Sequence, residues 1–380
     1  MYKWMLLGIA ALALTVVRGA AAVDFSKATQ KTLAELKLNA EVLEGLDAEL
    51  DVPKAWLEAA AKEDKVVILG TWANSQFPKM TAPFRERYPF VKLNYSQTGT
   101  SERGMKVAIA LRNDRVIADV LTSIADAFLQ FEKMKAFADL RNLPGFGNVA
   151  AGNVASDGTW VSHKLSFRCM GYNTANVKKQ DLPREWNDIL TNPRWRDGKL
   201  AISNHPNAWL LSLWGVLGDK WGAEFTRRLF EEVQPQRRKE GMTATTSLTL
   251  AGEFDANIPA PEWRVHQFVE KGAPIGYHCP TPVPTTVSQI VMLEKSPHKN
   301  GARLVINWML SREGQLLQYA ESDAVPIHKA LQSSRFVPFS DTIAGKRQSV
   351  RDDALLGSET HEKMLNMWNA YWTGPEGRKK

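Results

Sequence analysis

Hydrophobic positions change their period along the chain, and the changes mark out its elements. Val66-Val67-Ile68-Leu69-Gly70 is a continuous apolar run closed by glycine, which suits a strand buried on both faces of a parallel sheet. Residues 91–95 and 118–122 read as a second and a third strand, with helical spacing at 80–88 and 101–113 between them. Such alternation predicts an α/β domain with right-handed crossovers. Farther on, 160–162 and 167–173 read as two strands, 198–203 as another, and 273–280 as an extended stretch closed by proline. A tryptophan-rich helix follows residue 203, and two helices are expected near 301–310 and 313–320. Ahead of the first strand, residues 23–63 are polar and helical, ending in a helix over 54–61. Pro53 opens its first turn, where a missing N–H costs nothing. Neither an internal repeat nor a low-complexity segment breaks the pattern.

The N-terminus has a different pattern. Lys3, an apolar run over 4–17, Arg18-Gly19 and then Ala20-Ala21-Ala22 match a secretory signal peptide, with 1–22 as the leader. A membrane anchor is the alternative, but a span needs about 20 apolar residues. Export to the periplasm is therefore expected. The formal charge of +7 falls to +5 once Lys3 and Arg18 are removed with the leader. Basic and acidic residues are interspersed, and the clusters at 237–239 and 378–380 are short, so no nucleic-acid stripe is visible. At 44% hydrophobic and 23% charged, the 380 residues have enough apolar content for two domains and exclude disordered or collagen-like chains.

No phosphate loop, nucleophile elbow, zinc helix or EF-hand loop occurs, and the two cysteines lack zinc spacing. The segments after strands carry more information, because ligands in open α/β sheets bind at the carboxyl ends of strands. Trp72, Asn74 and Ser75 follow the first strand; Thr98, Thr100 and Ser101 follow the second; Ser123 lies just past the third. Asn204, His205, Asn207 and Trp209 follow Ser203. These hydroxyls, amides and backbone N–H groups can form a cradle, with Trp72 or Trp209 as a stacking wall. The same residue types also cap helices, so both readings stand.

Several segments, in this order, resemble a known group. They are residues 58–67, Gly171-Tyr172-Asn173-Thr174, residues 182–190 around Pro183, Trp186 and Asp188, Gly252-Glu253, residues 271–274 and 280–282, and residues 298–315. Over about 55–330 the chain resembles a periplasmic solute-binding protein of an ABC importer, of the type II Venus-flytrap class that includes ferric-iron, thiamine and polyamine binders.

The resemblance implies two α/β lobes joined by hinge strands, with the solute in the cleft and closure on binding. It implies a first lobe of 64–166 and 282–330, a second of 167–281, a helical extension at 23–63, and C-terminal helices over 331–380 on the second lobe. It implies a monomer that captures a small organic or oxyanionic solute for a membrane permease, without cofactor, metal, catalysis or nucleic acid. Ferric-iron binding is the alternative within the class, and a secreted hydrolase the alternative outside it. Relatives hold iron through adjacent tyrosines in the second lobe; here the corresponding segment offers Thr243 and Thr245 and no tyrosine, which disfavours hard Fe³⁺. Arg168 is read either as a hinge ion pair or as a ligand contact, and Lys239 as part of a solvated face. Cys169 and Cys279 fall on the implied crossing strands, so a disulfide is expected between them, with buried free thiols as the alternative.

Overall fold

The computed structural model describes residues 25–99, 101–124, 127–150, 152–350 and 355–374. The leader expected over 1–22, and Thr100, lie outside the described residues. None of the described helices is long and apolar enough to cross a membrane.

Among the described residues, ten strands form two sheet regions that share one strand. In the first, β2 (Leu93–Gln97), β1 (Val66–Gly70) and β3 (Val120–Thr122) run parallel, and β9 (Val283–Met292) pairs antiparallel with β3. In the second, β6 (Gln236–Arg238), β5 (Leu200–Ser203) and β7 (Ala256–Pro261) run parallel, with β8 (Ile275–His278) at the other side. The shared strand is β4, Val161–Asn173. Its first half pairs with β9, from Val161 to Phe167, and its second half pairs with β7 and β8, from Arg168 to Asn173. The short β10, Gln348–Val350, pairs with β9 where that strand begins.

Alternation along the strands separates four hydrophobic clusters, one on each face of each region. Val66, Ile68 and Val120 face a core that includes Trp308 and Phe84, while Val67, Leu69 and Leu121 face one built on Phe128 and Phe131. In the second lobe, Met170, Ile202 and Ile258 pack with Trp186, Trp209 and Trp214, while Cys169, Ala260 and Tyr277 pack on the opposite face. The C-terminal helix Glu359–Thr373 inserts Trp368 and Met364 into the tryptophan-rich core of the second lobe.

Four expectations change. The two strands read at 160–162 and 167–173 are one strand of 13 residues, because a change of partner rather than a turn lies between them. The described part of the 23–63 segment, residues 25–63, forms short separate helices at Lys27–Glu35, Leu46–Glu49 and Lys54–Ala60, fastened to the first lobe by Glu49, which accepts from Arg312. The second strand begins at Leu93, since the residues just before it belong to the preceding turn. Cys279 lies one residue past β8, not on a crossing strand; the returning strand is β9. Cys169 and Cys279 are joined by a disulfide with a Cα–Cα separation of 5.0 Å. Because Met170 pairs with His278, the bridge staples β4 to the end of β8 inside the second lobe, just beyond the crossing.

Candidate functional site

Where β4 and β9 cross between the lobes, period-two geometry turns one row of side chains toward the gap. Lys164, Ser166 and Arg168 share a face of β4 and line a cavity of about 310 Å³. Opposite Lys164 and Ser166, Ser288 and Thr286 of β9 extend the same floor. The first lobe contributes the residues directly after two parallel strands, Thr71 after β1 and Ser123 after β3, together with Arg103. The second lobe contributes Ala208 and the first turns of two helices, Met242 of Met242–Ala251 and Trp263 of Glu262–Val269. Strand carboxyl ends and helix N-termini thus converge on one gap, the usual place for a ligand in open α/β sheets.

The gap is cationic. Arg103, buried at 7% exposure, donates its Nε to the Ser123 carbonyl at 2.8 Å and also reaches the Thr98 carbonyl. Arg168 donates to Glu262 Oε2 at 2.7 Å and to the Phe167 carbonyl. Glu262 is almost wholly buried, and burial raises its carboxyl above the usual range despite Arg168 beside it. The Lys164 ammonium makes no hydrogen bond or ion pair with any described residue. Burial lowers it to about 8; Arg168 and Arg103 add to the lowering, and Glu262 opposes it.

Two features mark the first-lobe wall as built for something absent from the protein itself. The hydroxyls of Thr71 and Ser123 are buried without a hydrogen-bond partner among the described residues, a costly state unless a ligand or solvent completes them. Ser123 also sits in the left-handed region at φ 54°, held there by Gln289, whose carbonyl accepts its N–H at 2.8 Å. Strain of this kind in a non-glycine residue collects at functional sites.

Of the described residues in the expected cradle, Ser123 lines this cavity and the others do not. Trp72 and Trp209 are core residues: Trp72 packs on His163 and Phe77, and Trp209 on Trp186 and Phe225. Both turn inward because the indole finds more apolar surface there than at the strand end. Asn204 and Asn207 face away from the gap, accepting from Trp368 Nε1 and meeting His361 Nε2 of the C-terminal helix. His205 is half-buried beside Ser203, its imidazole lowered by burial and by Arg168. Asn74 accepts from the Gln97 N–H, Ser75, Ser101 and Thr243 are exposed, Thr98 has a buried unpartnered hydroxyl outside the lining, and Thr245 is buried against its own helix. Arg168 combines both of its readings, since it pairs with Glu262 and also lines the cavity.

A larger cavity, about 1010 Å³, lies behind the same two strands on the face of Leu165 and Val287. Its charged lining consists of the exposed Glu132 and Asp157, and its described lining includes none of the cations that border the interlobe gap. The interlobe gap is the better candidate. It contains no tyrosine, and the described residues hold no cluster of three His, Cys, Asp or Glu side chains suited to a metal.

Two lobes joined by crossing strands over a polar gap define a two-lobed binding protein. The family of bacterial extracellular solute-binding proteins matches residues 116–336, and the chain belongs to that family. No curated protein matches it. Solved structures share the fold at low identity. Iron-bound HitA from Pseudomonas aeruginosa has 18% identity and a TM-score of 0.65, covering 80% of this chain and 99% of its own. AfuA from Actinobacillus pleuropneumoniae, with fructose-6-phosphate bound, has 17% identity and a TM-score of 0.64, covering 83% and 99%. An ABC transporter substrate-binding protein from Bradyrhizobium japonicum has 15% identity and a TM-score of 0.66, covering 81% and 99%.

Proposed function

We propose that this protein captures a small anionic solute between its lobes, outside the cytoplasm, and delivers it to the permease of an ABC importer. It acts as a monomer exported by the leader at 1–22, with lobe boundaries near residues 166 and 282, and it does no chemistry on its cargo. The observation that carries the reading is the charge of the gap: Arg103, Lys164 and Arg168 line it, no carboxylate is among its described lining residues, and Glu262 beside it is engaged by Arg168. Desolvated cations with unpartnered hydroxyls beside them suit an oxyanion. Of the ligands bound in the structural neighbours, the phosphate group of the sugar phosphate suits this lining. Ferric ion does not, since the gap offers neither phenolate nor free carboxylate.

Calorimetry with inorganic phosphate, sulfate, a hexose phosphate and ferric citrate tests the reading. At least one of the anions is expected to bind, and Lys164→Met is expected to weaken it roughly 10- to 100-fold, the worth of a hydrogen bond to a charged group. Binding of ferric ion alone, with every anion silent, would overturn it.

The same lysine predicts a pH dependence. An anion favours the charged ammonium, so affinity holds while Lys164 is protonated and falls as pH rises through about 8. With sulfate, whose charge is constant there, affinity is expected to drop by up to about tenfold per unit above that point. Lys164→Met should flatten the profile. A wild-type profile already flat across that range would show that Lys164 does not meet the anion.

A further inference from the structure

The walls of the gap differ in chemistry, and this bears on the whole solute rather than on its charge. The first-lobe wall and the floor are polar: Arg103, Thr71 and Ser123 on one side, Lys164, Ser166 and Ser288 below. Apart from Arg168 at the crossing, the second lobe presents Ala208, Met242 and Trp263. Trp263 is half-buried, and it is unlike Trp186, Trp209 and Trp368, which pack on one another's rings. Its indole makes no ring contact, and its N–H no hydrogen bond, with any described residue. An aromatic side chain in the first turn of a helix, lining a cavity and stacked on no other described ring, offers a surface to a flat apolar group.

Size points the same way. At about 30 Å³ per water, 310 Å³ holds about ten waters, and a bare tetrahedral oxyanion of five heavy atoms leaves roughly half of that empty. The remaining room is that of one ring. A sugar ring would place hydroxyls against Ala208 and Met242, which can accept no hydrogen bond from them beyond backbone atoms, so an aromatic ring matches that wall better.

Resting on the anionic-solute reading, we infer that the cargo is two-ended: an oxyanion head held by the first lobe and the floor, and a planar aromatic body packed on Trp263 and Met242. Trp263 is then a specificity-determining residue. It sorts aryl-bearing anions from bare ones, whereas Lys164 serves both alike.

Phenyl phosphate, inorganic phosphate and glucose 6-phosphate separate the possibilities when titrated against wild type, Trp263→Ala, Trp263→Phe and Met242→Ala. Phenyl phosphate is expected to bind wild type about tenfold tighter than inorganic phosphate. Trp263→Ala should erase that gain, so that phenyl phosphate and inorganic phosphate bind it alike, with its thermal unfolding midpoint reporting that the variant is folded. Trp263→Phe should retain most of the gain, and Met242→Ala should lose part of it. Phenyl phosphate binding no tighter than inorganic phosphate, or glucose 6-phosphate binding tighter than phenyl phosphate, would overturn the aromatic body and leave the anionic reading intact. Failure of all three compounds to bind wild type would remove both.

Discussion

Replacing Cys169 and Cys279 together by alanine is expected to destabilise the second lobe by about 3–5 kcal/mol. The bridge closes a loop of 110 residues, which contains nearly the whole second lobe. In the chain-entropy model a loop of about that length is worth roughly 4.7 kcal/mol, because the cross-link removes most of the freedom of the unfolded lobe. The native side offers little to offset the loss. Both sulfurs are fully buried, and the strands they join already pair at Met170 and His278. The Cys279 segment has further ties, its N–H donating to Thr342 and its carbonyl accepting from Lys346, so the native geometry should survive the substitution and the effect should fall on the equilibrium. Trp186, Trp195, Trp209 and Trp214 are buried in this lobe, so intrinsic fluorescence during denaturant unfolding reports on it. An unchanged midpoint in the double variant would show that the bridge contributes nothing to the lobe.

Much of this architecture can be read from periodicity alone. Val66–Gly70 is apolar on both faces, and it is covered on both faces because clusters built on Trp308 and Phe128 flank it. β4 defeats the same reasoning because Lys164 and Ser166 interrupt its apolar positions and look like a turn. They are the floor of a cleft, polar because that face meets a gap and not a core. The site was harder still to find. Strand ends were the right places to search, as Thr71 and Ser123 show, but Trp72 and Trp209 leave those ends for the cores on either side. Arg168 is legible as a possible ligand contact, but Lys164 emerges only with the register known, since a slip of one residue would send it to the face of Leu165. Asn204 and Asn207 were lost to a partner more than 150 residues away, the helix carrying His361 and Trp368. Local pattern does not encode a contact of that kind.

The pair Arg168–Glu262 should answer differently depending on which partner is removed. Glu262→Gln keeps the shape of the side chain but leaves Arg168 a nearly buried cation with no counter-charge, at an expected cost of about 3–5 kcal/mol in stability. The stranded cation borders the solute cavity, so an oxyanion can supply the charge that was removed, and anion affinity should rise while the empty protein weakens. Arg168→Met does the reverse. It strands a carboxyl that burial already holds above its usual range, and a carboxyl can escape by taking a proton. With its folded pKa raised above the unfolded value, Glu262 in this variant is tolerated at low pH and penalised as pH rises through the folded value. Destabilisation should therefore grow as pH rises above the ordinary carboxylate range, and anion binding should fall at every pH. Thermal unfolding across pH, with and without phosphate, separates the two variants. If Glu262→Gln weakens phosphate binding as much as Arg168→Met does, then Glu262 serves to hold the guanidinium in place, and its charge is not what limits the affinity of the cleft.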